Sequence, residues 1–402
     1  MRVLISGAGI GGPTLAYWLA HYGLQPTLVE TAPHLRTGGY VVDFWGAGFD
    51  IADRMGALPE IRQKGYMMRE VRVVNRKGKR LAGFPAAAFA RMTQGRYVSL
   101  PRSDLAAAIF RRIDGKVETI FGDSVECIEQ TEDSVHVTFE RGDRREFDLV
   151  VGADGLHSRV RELVFGAESR FEKYLGYKVA AFAIDGYRPR DELTYVMYTE
   201  VGQQVGRFAM RGDRTMFLFI FADENAAGPS NTQEQKALLR QRFGASGWEC
   251  PQILDALDAA DDLYFDRVSQ IRMDPRQGLW TRGRTTLIGD AAFCVSFLAG
   301  QGSALAMVSA YILAGELHRA SGDYAAAFAR YQDLFAPFVL AKQKAALRFA
   351  GAFAPKSKFG LFLRNQIFNL MAIRWIADLA IGHDLADNIK LPDHQEEHPT
   401  RN

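Results

Sequence analysis

Hydrophobic and polar positions at the start of the chain alternate between two periods. RVLIS is almost continuously apolar, PTLAYWLAHYG repeats apolar residues at helical spacing, and TLVE returns to an extended apolar run. This predicts strand, helix, strand, with the glycine-rich GAGIGG as the first turn. Pro13 suits the opening helical turn, where an N–H has no intrahelical partner, and Gly23 suits the exit. RSDLAAAIFRRI, residues 102–113, predicts a second helix with Ser103 as its cap. VETIF, SVHVTFE and FDLVVGAD then read as strands; the middle one alternates and the last is continuously apolar. That mixture predicts an antiparallel layer attached to a central parallel sheet.

From Tyr174 to Phe221 the pattern changes. KVAAFAID, LTYVMYTE and RTMFLFIFA are rich in aromatic and β-branched residues and predict a separate sheet. A polar helix, TQEQKALLRQRFG, leads back to RTTLIGDAA, where the first unit resumes, and helical patterns dominate from Ser303 onward. The most apolar stretch, KFGLFLRNQIFNLMAIRWIADLAIG (358–382), is interrupted by Arg364, Asn365, Arg374 and Asp378. It falls short of the ~20 uninterrupted apolar residues of a spanning helix. It reads as a mostly buried helix, with surface association as the alternative. The final DHQEEHPTRN is polar and expected to be disordered.

Composition narrows the classes. A chain of 402 residues suggests two domains, and 48% hydrophobic with 24% charged residues is ordinary for a globular protein. A net charge of +2 gives no reason to expect nucleic acid. Cys127, Cys250 and Cys294 lack CxxC spacing, so neither a disulfide framework nor a metal site is expected. A reducing cytoplasm is the expected location, since MRVLISGAGIGG has no signal-peptide pattern.

Three short motifs carry chemistry. Gly7, Gly9 and Gly12 form GxGxxG between a strand and a helix: the first glycine permits the tight turn, the second a close pyrophosphate, the third close packing of helix on strand. Glu30 ends the next strand, where a carboxylate can accept both ribose hydroxyls and disfavours a 2′-phosphate, so FAD or NAD is expected rather than NADP as the resident nucleotide. FDLVVGADGLHSRVR places Asp154-Gly155 after a buried strand; alone this also reads as a turn with a capping Asp. LIGDAAFCVSFLAGQG places Gly289-Asp290 after a strand and Gly300-Gln301-Gly302 before a helix; alone, Asp290 also reads as a cap.

Jointly the motifs resemble the FAD-dependent, single-component aromatic monooxygenases of the para-hydroxybenzoate hydroxylase fold, over about residues 1–340. The resemblance implies that Gly7, Gly9, Gly12 and Glu30 hold the ADP half of FAD and that Arg36 and Arg102 are basic positions near the flavin nucleotide. Asp154 and Gly155 would serve the pyrophosphate region and the nicotinamide cofactor, and Asp290 the ribityl chain. Phe297, Gly300, Gln301 and Gly302 would lie near the flavin ring. Two positions depart from the family: Phe293 replaces its histidine and Phe297 its proline. Within that family the runs WTRGRTTLIGDAA and AYILAGEL and the apolar C-terminal helix resemble the tetracycline-inactivating flavin monooxygenases.

The expected fold is α/β: a Rossmann-like FAD-binding domain, a second sheet-based substrate domain and a C-terminal helical segment. The expected division gives the FAD-binding domain residues 1–72, 100–172 and 273–340, the substrate domain 73–99 and 173–272, C-terminal helices 341–392, and a disordered tail 393–402. The implied activity uses NAD(P)H, as a transient co-substrate, and dioxygen to hydroxylate a small aromatic or polycyclic substrate through a flavin C4a-hydroperoxide, in a monomer or homodimer. No metal and no integral membrane segment is expected. Phe182, Tyr195, Tyr198, Phe208, Phe217 and Phe219 are either pocket lining or sheet core, and His136 and His157 are read as surface histidines or, for His157, a nucleotide contact. No general base is assigned. The alternatives are an isoprenoid-type lipid reductase, a halogenase, for which the WxWxIP signature is lacking, and a flavoprotein that sequesters a polycyclic compound without turnover.

Overall fold

Four parallel strands of one sheet bring the predicted motifs to a common edge. In the computed structural model, which describes residues 1–371 and 389–393 apart from positions 37, 39, 88, 89, 91, 92, 94, 261, 276 and 277, this sheet has six strands. Their order is β17 (Thr281–Arg282), β18 (Thr285–Leu287), β11 (Leu149–Gly152), β1 (Arg2–Ser6), β2 (Gln25–Glu30) and β7 (Glu118–Phe121). All neighbours pair in parallel except the edge hairpin β17–β18. Val3, Leu4, Ile5, Leu28, Leu149, Val150 and Val151 are fully or almost fully buried, as strands covered on both faces require. Helices α1 (Gly11–His21) and α7 (Gly302–Arg319) pack against each other, and a Cβ on Gly11 would stand 3.5 Å from that of Ala306.

The antiparallel layer is present but uses different strands from those expected. VETIF is β7, an edge of the parallel sheet, whereas β8 (Val125–Gln130), β9 (Val135–Phe139) and β10 (Arg144–Phe147) form the layer. The run FDLVVGAD begins at the last residue of β10 and continues as β11. Ser103 does not cap the second helix: α2 (Arg102–Phe110) starts directly after Pro101, which is the last non-helical residue at ψ 135°, so Ser103 lies inside the first turn.

The second sheet has seven strands, in the order β16 (Leu263–Ile271), β12 (Glu172–Asp185), β15 (Arg214–Ala222), β14 (Gln203–Ala209), β13 (Thr194–Glu200), β4 (Glu70–Val74) and β5 (Arg80–Pro85). Side chains alternate between its faces. Phe182, Tyr198, Phe217 and Phe219 point to the face covered by α4 (Thr232–Phe243) and α5 (Cys250–Ala256), where they meet Leu239, Phe243 and Ile253. Those four aromatics are sheet core. Tyr195 and Phe208 occupy the opposite face with Met216 and Tyr40, toward a two-stranded ribbon of β3 (Val41–Trp45) and β6 (Tyr97–Pro101).

A long helix, α8 (Tyr324–Phe353), returns along the first unit, and α9 (Lys358–Leu370) lies on β5, with Phe368 edge-on to Phe84 at 5.3 Å. The described part of the apolar 358–382 stretch is not mostly buried: Phe359, Phe362, Leu363, Ile367 and Leu370 are exposed, and Arg364 and Met371 are its buried members. The side facing the sheet is the one bearing Arg364 and Phe368, so the apolar count alone misplaced the buried face. Residues 372–382 of that stretch, part of the expected C-terminal helices, and 394–402 of the tail lie outside the described residues. Among the described residues no helix is long and apolar enough to cross a membrane.

Candidate active site

The register aligns Ser6 with Gly152, Gly152 with Leu287, and Ser6 with Val29. Gly7, Asp154, Asp290 and Glu30 therefore all follow or end the carboxyl ends of four adjacent parallel strands, the place where open α/β sheets bind ligands. The glycines are sterically required. A Cβ on Gly12 would fall 1.9 Å from the Gly7 carbonyl oxygen, and one on Gly7, whose φ is +108°, would fall 2.6 Å from the Ala153 carbonyl oxygen. Gly9 leaves room below Arg102, whose Nη2 would be 3.6 Å from an added Cβ. Glu30 accepts N–H bonds from Ala8 at 2.7 Å and Ala32 at 3.0 Å, which holds its carboxylate against the glycine turn. Arg36 is exposed and stands 3.7 Å from Glu30.

Two helix starts open on this edge. The N-termini of α1 and α7 carry no side-chain cap, so their N–H groups are left for another acceptor. Gly300, at φ +64°, has nothing within 4 Å of an added Cβ, and Gln301 precedes α7. Asp290 does not cap its helix α6 (Asp290–Phe293), which is capped by Gly289 without a side-chain bond. Among the described residues neither an N–H nor a hydroxyl donates to its carboxylate; its polar neighbours are the Cys294 thiol and the Arg102 charge. Burial pushes the Asp290 carboxyl above the ordinary aspartate range, and Arg102 pulls it back. A carboxylate with no N–H or hydroxyl donor among the described residues, an arginine and two bare helix N-termini fit a dinucleotide with a sugar-alcohol chain: hydroxyls for Asp290, phosphates for the N–H groups.

Asp154 is different. Its two oxygens accept from the Ser158 hydroxyl at 2.5 Å and the Val160 N–H at 3.1 Å, so the carboxylate is occupied in closing the turn into α3 (Arg159–Phe165). Gly155 supplies the left-handed residue of that turn, at φ +83°. Arg161, one helical turn after Ser158 behind the DG pair, is fully buried and donates to the carbonyls of Ala291 and Leu156 and to Glu168. It ties the DG turn to the GD turn.

His157 is more than a surface histidine. Its Nδ1 lies 3.0 Å from Glu168 and its Nε2 3.3 Å from Asp266 on β16, so it clamps the second sheet to the first unit. The hydrogen bonds to Asp266 and Glu168 raise its pKa to about 10. A group whose folded pKa is raised contributes its full stability below the unfolded value of roughly 6.5 and loses it as pH rises toward the folded one. His157→Ala should therefore lower Tm at pH 6 and leave it almost unchanged near the upper end of that window, as thermal unfolding of both proteins across pH would show. The ring is half exposed, which keeps the effect modest.

Above the GD turn stands an aromatic wall. Phe297 meets Tyr40 edge-on at 4.7 Å and lies near-parallel to Tyr264 at 6.5 Å, with Tyr40 and Tyr264 5.1 Å apart. The same ring packs beside Tyr177, Val179 and Ile220 of the second sheet. Burial raises the Tyr40 hydroxyl to about 12 despite Arg102 nearby, so it stays protonated at neutral pH. Phe293 instead points into the core, 4.9 Å from Trp280 and 5.3 Å from Phe335; the position where the family resemblance expected a histidine is a packing position here. No local motif marks Tyr40 or Tyr264: LYFDRVSQI, which carries Tyr264, shows no alternation of apolar and polar residues, and Tyr40 precedes β3.

Comparison with known proteins agrees with this geometry. The FAD binding domain family model matches residues 1–327. A flavin-dependent monooxygenase from an unknown prokaryotic organism is 38% identical over 345 residues, covering 86% of this chain and 87% of that protein. A flavin-dependent monooxygenase of Legionella longbeachae serogroup 1 is 32% identical over 400 residues, 98% of both. The crystal structure of tetracycline destructase Tet(51) superposes with a TM-score of 0.81 at 33% identity, covering 98% of this chain and 99% of that one. Klebsiella pneumoniae HpxO complexed with FAD and uric acid shares the fold, with a TM-score of 0.75 at 23% identity over 94% of this chain and 97% of that one. The chain belongs to the FAD binding domain family of flavin-dependent monooxygenases.

Proposed function

We propose that the protein hydroxylates a small aromatic or polycyclic substrate, with dioxygen as oxidant and NAD(P)H as a transient reductant. The observation that carries this reading is the aromatic wall of Tyr40, Tyr264 and Phe297 between the Asp290 edge and the inner face of the seven-stranded sheet. Bound FAD supplies the redox chemistry that passes one oxygen atom of dioxygen to the substrate. Glu30 and the glycine turn would hold the adenosine side, Asp290 the ribityl hydroxyls, and the N–H groups at Gly302 would favour negative charge on the reduced ring. The protein's own task is to orient the ring and exclude water from it. Phe297, Tyr40, Tyr264, Leu218 and Ile220 provide an apolar surround for that purpose.

A tetracycline is one candidate substrate, supported by the likeness to Tet(51) over nearly the full chain. NAD(P)H oxidation by the FAD-loaded protein is measured with and without a panel of phenols and tetracyclines. Substrate-stimulated oxidation with a product heavier by one oxygen atom supports the proposal; tight ligand binding without oxygen consumption overturns it in favour of a sequestering flavoprotein. Phe297→Ala opens the wall to water and should raise peroxide release several-fold relative to product. Unchanged coupling in an oxygen and peroxide balance would remove Phe297 from that role.

A further inference from the structure

The outward side of α9 has no part in the flavin site. Ser357 caps the helix, its hydroxyl accepting the Gly360 N–H at 3.0 Å. Arg364 donates to the Thr199 hydroxyl at 3.1 Å and Phe368 meets Phe84, so one side is fixed on the second sheet. The opposite side carries Phe359, Phe362, Leu363, Ile367 and Leu370, spaced by three and four residues, with Gln366 as its polar member. Phe359 is 73% exposed and Phe362 60%. Single apolar residues on a surface are ordinary, but five along one helical stripe mark an interaction site.

Charge decides what the stripe fits. Lys358 opens the helix four residues before Phe362, at the border of the stripe, Lys356 precedes the Ser357 cap, and residues 355–371 contain no Asp or Glu. The Gly202 N–H donates to the Pro355 carbonyl at 2.9 Å, which sets the start of α9 at the end of the sheet where β4 turns into β5. That turn adds exposed Lys77 and Lys79, and residues 75–84 are likewise free of acid. These four lysines are exposed and form no ion pair among the described residues; Lys356 lies over the Tyr177 ring at 5.5 Å. A second copy of the chain in a twofold contact would present the patch with itself, and the lysines would meet no carboxylate there. An anionic lipid surface neutralises them and takes the apolar side chains at its headgroup boundary. At 13 residues the helix is ~20 Å long, short of the ~30 Å hydrocarbon core, so it lies on a bilayer rather than crossing it.

We propose that the outward stripe of α9 docks this protein on anionic bilayers. Phe359, Phe362, Leu363, Ile367 and Leu370 enter the boundary between headgroups and acyl chains, and Lys77, Lys79, Lys356 and Lys358 bind the anionic headgroups. The helix is already folded, capped and anchored to the sheet, so docking does not have to order it first. Each lysine at such a surface contributes roughly fivefold in partitioning at low salt. Salt screens that attraction beyond about 10 Å at 0.1 M.

The test is flotation of the FAD-loaded protein with vesicles of phosphatidylcholine alone and of phosphatidylcholine and phosphatidylserine in a two-to-one ratio. At low salt the wild type should partition to the anionic vesicles about tenfold or more over the neutral ones, and added salt should shrink the excess. That salt dependence needs no variant. Phe359→Ser combined with Phe362→Ser, both at exposed positions, should keep the flavin content and Tm of the wild type and cut binding to anionic vesicles about tenfold or more. Lys356→Gln combined with Lys358→Gln should lower only the binding to anionic vesicles, by up to roughly 25-fold. Equal binding to the two vesicle types, binding that survives the phenylalanine pair, or no binding to either overturns the proposal. If the last comes with a dimer that the phenylalanine pair dissociates, the occupant is a second copy. Binding is read without turnover, so its outcome is independent of the monooxygenase reading.

Discussion

Gly12→Ala is expected to yield a protein that retains no FAD through purification and unfolds several degrees below the wild type. The added methyl carbon would stand 1.9 Å from the Gly7 carbonyl oxygen and 3.2 Å from a Leu28 methyl carbon. Neither neighbour can give way cheaply. The Gly7 oxygen is backbone, and the Gly7 N–H is anchored to the Val29 carbonyl of the adjacent strand at 2.7 Å. Leu28 is fully buried under α1. The start of α1 must therefore lift from β1, which displaces the N–H groups that would face the diphosphate. Overpacking of a tight core costs about 1–3 kcal/mol, and a backbone clash belongs at the upper end. At about 1.4 kcal/mol per tenfold, displaced phosphate contacts of similar size correspond to roughly a hundredfold loss of affinity. Flavin absorbance per chain and a thermal melt check both halves. Full flavin occupancy with an unshifted melt would show that the turn is not a phosphate cradle.

The parts of the fold read correctly from sequence are those in which one position has one physical reason. Gly7 and Gly12 cannot be replaced because backbone occupies the space of a side chain, and that constraint is written in the sequence as glycine. Strands buried on both faces, such as LVVG of β11, are continuously apolar and were equally plain. Alternatives stay open in the sequence where the same residue type serves two environments. Phe182 and Phe208 are both buried sheet phenylalanines, but strand alternation sends one toward α4 and the other toward Tyr40 and Met216. Only the pairing register distinguishes them, and register is a property of the neighbouring strands. Asp154 and Asp290 likewise follow strands and precede helices, and each alone could be a cap. The structure separates them: Asp154 has two donors from its own turn, whereas Asp290 has the Cys294 thiol and, among the described residues, neither an N–H nor a hydroxyl. No local motif marks Tyr40 and Tyr264; the approach of β16 to the segment before β3 brings the two rings together.

Asp290→Ala should separate cofactor retention from folding. In the wild type the carboxylate has been taken out of water beside Cys294, with Arg102 as a partial counter-charge and no N–H or hydroxyl donor from the described residues. A carboxyl whose folded pKa is raised above its unfolded value of roughly 3.9 destabilises the apoprotein at neutral pH, and the penalty is relieved as pH falls through the folded pKa. Removing the carboxylate removes that penalty, so the FAD-free variant should melt at or above the FAD-free wild type at pH 7.5. The difference should shrink toward pH 4. With FAD the order reverses. Loss of hydrogen bonds from the ribityl hydroxyls to a charged acceptor, about 1.5–3 kcal/mol each, predicts roughly 10- to 150-fold weaker retention for a single bond. Asp290→Asn, which keeps one acceptor oxygen without the charge, should fall between the two. Such a residue is kept for its ligand at the expense of the empty fold, the pattern expected where function and stability compete. Flavin content after dialysis, paired with melts of the stripped proteins, decides it. An Asp290→Ala protein with undiminished flavin, or one whose stripped form melts well below the wild type, would make Asp290 a structural residue and shift the ribityl site elsewhere along the strand edge.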